Sequence, residues 1–204
     1  MSNQRKVIRV VGHDPSLRNW GWALGFYDLE TSELRIPTIG VIQPVLSKGK
    51  QVRQNSLDLD SARQLFMGAE DVSDGAQAVF VEVPVGSQSA RAMASYGLCV
   101  GVLGALRALG NPFYEVTPSE VKMATVGIKT ATKEQMIGWA MNAHPEANWP
   151  VYAKNGTKQV SEAKAEHMAD AIAAIYAGIN TTGFQQLLPF LKQGVSFANS
   201  VEAA

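Results

Sequence analysis

The chain has 204 residues, with 18 basic side chains balanced by 18 acidic ones and an apolar content of 46%. That length fits one domain with its own core, and the even charge excludes a polyanion-binding surface spread over the whole molecule, so any nucleic-acid contact must be a local patch. No apolar run approaches the ~20 residues of a membrane span, and the single cysteine, Cys99, excludes an internal disulfide framework and fits a reducing cytoplasm.

In chain order, Val7, Ile8, Val10 and Val11 form a β-branched run with the composition of a buried strand. It leads into Gly12-His13-Asp14-Pro15-Ser16, and a second apolar run, Gly21 to Tyr27, follows after a turn with Asn19. This hairpin puts Asp14 at the end of a rigid strand, as a metal-binding carboxylate requires; an Asp before Pro15 also reads simply as the start of a turn. Leu34 to Pro44 is a third strand, joined through Glu30-Thr31-Ser32 to make an antiparallel meander. Lys48, Lys50 and Arg53 cluster around Gly49 as a basic loop patch or as solvated loop charges. Residues 56–70 carry helical spacing in Leu57, Leu59, Ala62, Leu65, Phe66 and Ala69.

Ala78 to Val83 (AVFVEV) is a second strongly β-type run, and Glu82 lies inside it. A carboxylate within a buried strand is costly unless it is paired or bound to a cation; the alternative is an edge-strand Glu facing water. Ser87 to Leu109 is one long helix rich in Ala and Gly, suited to close packing or to a subunit interface, and its Cys99 reads as buried and inert. Phe113 to Val116 is a fifth strand. Thr117-Pro118-Ser119-Glu120 starts a helix with a capping box and ends near Gly127, and Thr132 with Gln135 starts another. Lys122, Lys129 and Lys133 gather around this helix–loop–helix, either to grip phosphates or as ordinary solvated lysines.

His144 to Val160 reads as a long loop or flap, in which Trp149 and Tyr152 either stack on unpaired bases or pin the loop to the core. Ser161 to Gly178 is the last core helix, with Ala163, Ala165, Met168, Ala169, Ile172, Ala173 and Ile175 as its apolar side. His167 and Asp170 are neighbours on one face of it; they read as half of a metal site or as a surface hydrogen-bonded pair, and the Ala/Met surroundings turn that face inward. Phe184 to Leu191 is a short amphipathic piece before a tail. The expected organisation is a domain over residues 1–180, then a short helix and flexible tail over 181–204.

Three antiparallel strands followed by two helix-linked strands make an α/β fold, a five-stranded mixed sheet flanked by helices of the ribonuclease-H-like kind. At Gly12-His13-Asp14-Pro15-Ser16, Glu82, Lys122, Lys133 and Glu166-His167-Met168-Ala169-Asp170-Ala171 the chain resembles the RuvC-type Holliday junction resolvases, from about Val7 to Ala177. The resemblance implies that Asp14, Glu82, His167 and Asp170 are catalytic and hold two divalent ions, Mg²⁺ or Mn²⁺. It implies that Lys122 and Lys133 contact junction phosphates; Lys129, Lys48, Lys50 and Arg53 are further DNA-binding candidates by their clustering alone. It also implies a homodimer acting on four-way, branched DNA in the cytoplasm. Val83-Pro84-Val85-Gly86 lacks the aromatic that bacterial members carry near the junction centre, and the 142–160 segment is longer than theirs; both features resemble a divergent, phage-type branch. The competing readings are a nuclease acting on RNA–DNA hybrids, a non-catalytic branched-DNA-binding protein and an actin-like ATPase. The last is disfavoured because Pro15-Ser16-Leu17-Arg18 offers no phosphate-wrapping loop.

Overall fold

The computed structural model describes residues 6–47, 53–86, 89–110, 112–154 and 157–193. Strands β1 (Val7–Asp14), β2 (Trp20–Asp28) and β3 (Leu34–Ile42) form the expected meander. Helix α1 (Gln54–Ser73) crosses to β4 (Ala78–Glu82), and α2 (Ala90–Arg107) crosses to β5 (Phe113–Val116). The sheet order is β3-β2-β1-β4-β5, with β1, β4 and β5 parallel. Helices α3 (Pro118–Thr125), α4 (Lys133–Ala143), α5 (Glu162–Gly178) and α6 (Thr182–Lys192) complete the chain.

Two apolar layers sandwich the sheet. Alternation along β1 and β4 sends Val11, Val79 and Val81 to one face, where they meet Leu65 and Ala69 of α1 and Cys99, Val102, Leu103 and Leu106 of α2. There Cys99 is buried and inert as expected, its thiol pushed up to about 12 by burial and then by the charge of Asp14. Arg91 grips Asp58 with two hydrogen bonds of 2.6 and 2.7 Å, tying α2 to α1.

Ile8, Val10, Ala78 and Phe80 point to the opposite face and pack on α5. Helix α5 is enclosed on nearly all sides: Ala169, Ala171, Ile172, Ala173, Ala174 and Ile175 are fully buried. Its alanines leave room for the sheet on one side and for Val121 of α3 and Met136 of α4 on the other. Ala163, expected on the apolar side, is exposed, because the first turn of α5 runs beyond the sheet. Helix α6 joins the same core through Phe184, whose ring packs edge-on against Tyr27, Phe80 and Tyr114. The tail expected after Leu191 lies, from residue 194 onward, outside the described residues.

The segment read as one loop from His144 to Val160 instead contains a two-stranded ribbon, β6 (Val151–Lys154) with β7 (Thr157–Val160). Its stem is pinned, as one of the two readings of Trp149 held. Trp149 Nε1 donates to the His144 carbonyl, and the Asn148 side-chain amide makes both hydrogen bonds of a strand partner to the backbone of Ile39 on β3.

Candidate active site

Strand register places the first two acids. His13 of β1 lies opposite Val81 of β4, so the next residues, Asp14 and Glu82, end two adjacent parallel strands side by side. Both continue the alternation that faces α5. The site helix reaches them only because two strand positions lack a side chain. A Cβ on Gly12 would stand 2.0 Å from the Ala171 carbonyl oxygen, and one on Gly21, the residue paired with Asp14, 2.1 Å from that of His167. With both absent, α5 lies directly on the sheet, and His167 Nδ1 hydrogen-bonds Asp14 Oδ2 at 2.6 Å. Asp170 follows one turn later on the same face.

Next to Glu82, Val116 ends β5, and the chain turns at once into α3. The Thr117 hydroxyl and the Glu120 carboxylate close the expected capping box, with Pro118 at the first helical position. Gly127, at φ 79°, ends the helix in the left-handed conformation that glycine tolerates. This places Lys122 within electrostatic reach of Glu82 and Asp170.

The charges are crowded. Burial first, then the charges of Asp14 and Asp170, push the Glu82 carboxyl up to about 8 against the opposing pull of Lys122. Asp170 is pushed up to about 7 by burial, then by Asp14 and Glu166, while His167 and Lys122 pull the other way. For His167, burial works against the charged ring, but the hydrogen bond to Asp14 and the negative charge of Asp14, Glu166 and Asp170 outweigh it, so its pKa is raised. The neighbouring His13 differs. Full burial on the α1 side lowers it to about 3, so it is neutral; its Nδ1 accepts from Trp20 Nε1 at 3.1 Å and its Nε2 meets Ser73 Oγ at 2.9 Å. It braces the strand from behind.

Three carboxylates and an imidazole at one sheet edge are the oxygen-rich donor set of a hard divalent ion. Burial first, and the neighbouring negative charges second, displace two of the acids upward, and a bound cation would offset both. The donors fit a cation, yet they are gathered rather than closed round a point: among the described residues no three His, Cys, Asp or Glu side chains stand together at ligating distance. In this arrangement Asp14 is turned to His167.

The basic residues separate into groups. Lys122 stands at the acids, and Lys133 pairs with Glu166 at 2.6 Å beside them. Lys129 is exposed in the turn between α3 and α4. Arg53 precedes α1 and lines a surface concavity with Gln54, Asn55, Ser56 and Leu59, a different set of residues from the acidic cluster. Lys48 and Lys50 lie outside the described residues. The contribution of Gly12 and Gly21 is absent from the sequence reading, although a glycine inside a strand signals close backbone approach.

No family model matches the chain. It is 31% identical over 148 residues to the crossover junction endodeoxyribonuclease RuvC of Hyphomonas neptunium, an alignment covering 69% of this chain and 80% of that protein. The chain belongs to the RuvC family. The RuvC protein of Agrobacterium fabrum is 25% identical over 194 residues, covering 93% of this chain and 99% of the relative. Among solved structures, Thermus thermophilus RuvC in complex with a Holliday junction substrate superposes with a TM-score of 0.59 at 19% identity, over 83% of this chain and 92% of that one. A second Thermus thermophilus RuvC structure gives 0.57 at 20% identity. These superpositions show the RuvC-type fold, the expected five-stranded mixed sheet with flanking helices.

Proposed function

We propose that this chain is a structure-selective DNA endonuclease that resolves four-way junctions by divalent-metal-dependent phosphodiester hydrolysis. The observation that carries the reading is the meeting of Asp14, Glu82, His167 and Asp170 at one sheet edge in a RuvC-family chain.

Asp14, Glu82 and Asp170 would hold two divalent ions, Mg²⁺ or Mn²⁺, with His167 either as a further ligand or as the group that activates water. When bound, such ions acidify water and offset the charge that develops on the phosphoryl group and the leaving oxygen. The chain's own residues supply the rest. Asp14 and Glu82 are fixed at strand ends and Asp170 on α5, and His167, anchored to Asp14 through Nδ1, has only Nε2 left, which serves either as a ligand or as a proton acceptor. Lys122, Lys129 and Lys133 meet the phosphates, and Arg53 is a further candidate contact.

A four-way junction offers two strands for cleavage, and two copies of the chain meet that symmetry. Helix α2 presents an exposed face of Met93, Gly97, Val100, Gly101, Gly104 and Ala105, which is the surface assigned to the homodimer. Among the described residues no helix is long and apolar enough to cross a membrane, and the cytoplasm is the proposed setting.

A substrate comparison tests the reading. Labelled four-way junction, linear duplex and RNA–DNA hybrid are incubated with the purified protein and Mg²⁺ or Mn²⁺. Paired nicks near the branch point are expected on the junction alone. Cleavage confined to the hybrid would transfer the site to ribonuclease chemistry, and binding without cleavage would leave a DNA-architecture protein.

A further inference from the structure

Glu166 precedes His167 on α5 and is not among the proposed metal ligands. Its Oε1 lies 2.6 Å from Nζ of Lys133, the first residue of α4. The carboxylate is 25% exposed and the lysine 70%, so the pair has one anchored end and one end open to solvent. A cation at a helix N-terminus is repelled by the helix dipole. Without Glu166 only the weaker pull of Asp170 and of Glu134 is left to oppose that repulsion, with no direct partner for the ammonium, and a long lysine chain spreads over many rotamers. An ammonium has three donor protons. With one directed to Glu166, the other two remain for the oxygens of a phosphate.

We propose that Glu166 is a positioning residue. Through its ion pair it holds the Lys133 ammonium at the rim of the carboxylate cluster, one residue along α5 from His167, ready to receive a DNA phosphodiester. The substrate in this inference rests on the endonuclease reading; the ion pair does not.

Two measurements on the full chain test it. In ¹⁵N spectra of lysine-labelled protein, the Lys133 ammonium signal is expected to be protected from exchange in the wild type and lost in Glu166→Gln. An unchanged signal in the variant overturns the pairing whatever the substrate. On a four-way junction, Glu166→Gln is expected to lower the single-turnover cleavage rate on the order of tenfold, short of the roughly hundredfold cost of misplacing a catalytic group by 1 Å. Its affinity for the junction, measured in Ca²⁺, stays equal or tightens, because a negative charge has been removed near the DNA. In a Lys133→Ala background the same substitution should cost nothing further. Wild-type cleavage by Glu166→Gln, a parallel loss of rate and affinity, or an undiminished loss in the Lys133→Ala background would each overturn the proposal. If the wild-type chain leaves the junction intact, the endonuclease reading fails, while the ammonium signal still decides the pairing.

Discussion

At the scale of single residues, the acidic cluster works against the fold that holds it. Glu82 ends a strand whose other side chains are fully or almost fully buried, with Asp14 beside it and Asp170 across from it, and its carboxyl sits at about 8. Gln in its place removes the cost of burying that carboxyl, and of crowding it against Asp14 and Asp170, without opening a cavity, because Gln matches Glu in shape. Glu82→Gln is therefore expected to raise the melting temperature in metal-free buffer by about 2–4 °C, corresponding to about 1 kcal/mol in a chain of this size. A calorimetric scan showing a lower melting temperature would contradict the electrostatic account. Glu82 was legible in the sequence because a carboxylate inside AVFVEV has no cheap place to go. Its own bland alternative, an edge strand facing water, falls because β4 lies between β1 and β5, whereas Asp14 and His167 kept theirs because the contact that joins them, 2.6 Å long, links residues from opposite ends of the domain.

At the scale of elements, strands and caps could be read locally. The β-branched runs of β1 and β4 and the capping boxes of α3 and α4 depend on neighbours within a few residues, and the structure has them. The seating of α5 could not be read that way, because it depends on backbone approaching backbone. Gly12 and Gly21 look like ordinary strand or turn glycines until the helix lies over them. The β6–β7 ribbon was missed for another reason: the prolines and glycine between His144 and Val160 outweighed two four-residue strands that alternate weakly. The seating gives a prediction. At Gly21 a methyl group meets the His167 backbone, which cannot turn aside, whereas at Gly178 it meets the Phe80 ring at the far end of the same helix. Both Gly→Ala variants should lose about 1–3 kcal/mol of stability by overpacking, measured by urea unfolding. Only Gly21→Ala should also break the His167–Asp14 contact, read from the ¹⁵N shifts of the His167 ring. Loss of that contact in both variants would mean that α5 moves as one rigid body and that Gly21 has no special role.

At the scale of the whole molecule, even net charge is compatible with a polyanionic substrate when a few lysines stand together. Lys122 and Lys133 lie at the acidic edge, with Lys129 in the turn between their helices. Composition could show that any such patch had to be local, but only the fold shows which lysines stand at the acids. Lys133 turned out to be paired with Glu166, which no spacing rule anticipates. The exposed face of α2 belongs to this scale too. An 18-residue helix presents roughly 27 Å of length, and its small residues permit close contact with a second copy. Val100→Glu would place a charge in the proposed contact, so sedimentation velocity should find wild-type dimer and variant monomer. A wild-type monomer at micromolar concentration would remove α2 from the assembly.

The proposed role of Asp14, held at the end of β1, is to organise the hydrolysis of DNA at a branch point. It is tested most directly by single-turnover cleavage of a four-way junction with Mg²⁺, comparing the wild type with Asp14→Asn and measuring junction binding alongside. The account predicts paired nicks from the wild type, none above background from the variant, and affinities that agree within a few-fold. Full Mg²⁺-dependent cleavage by Asp14→Asn would contradict it.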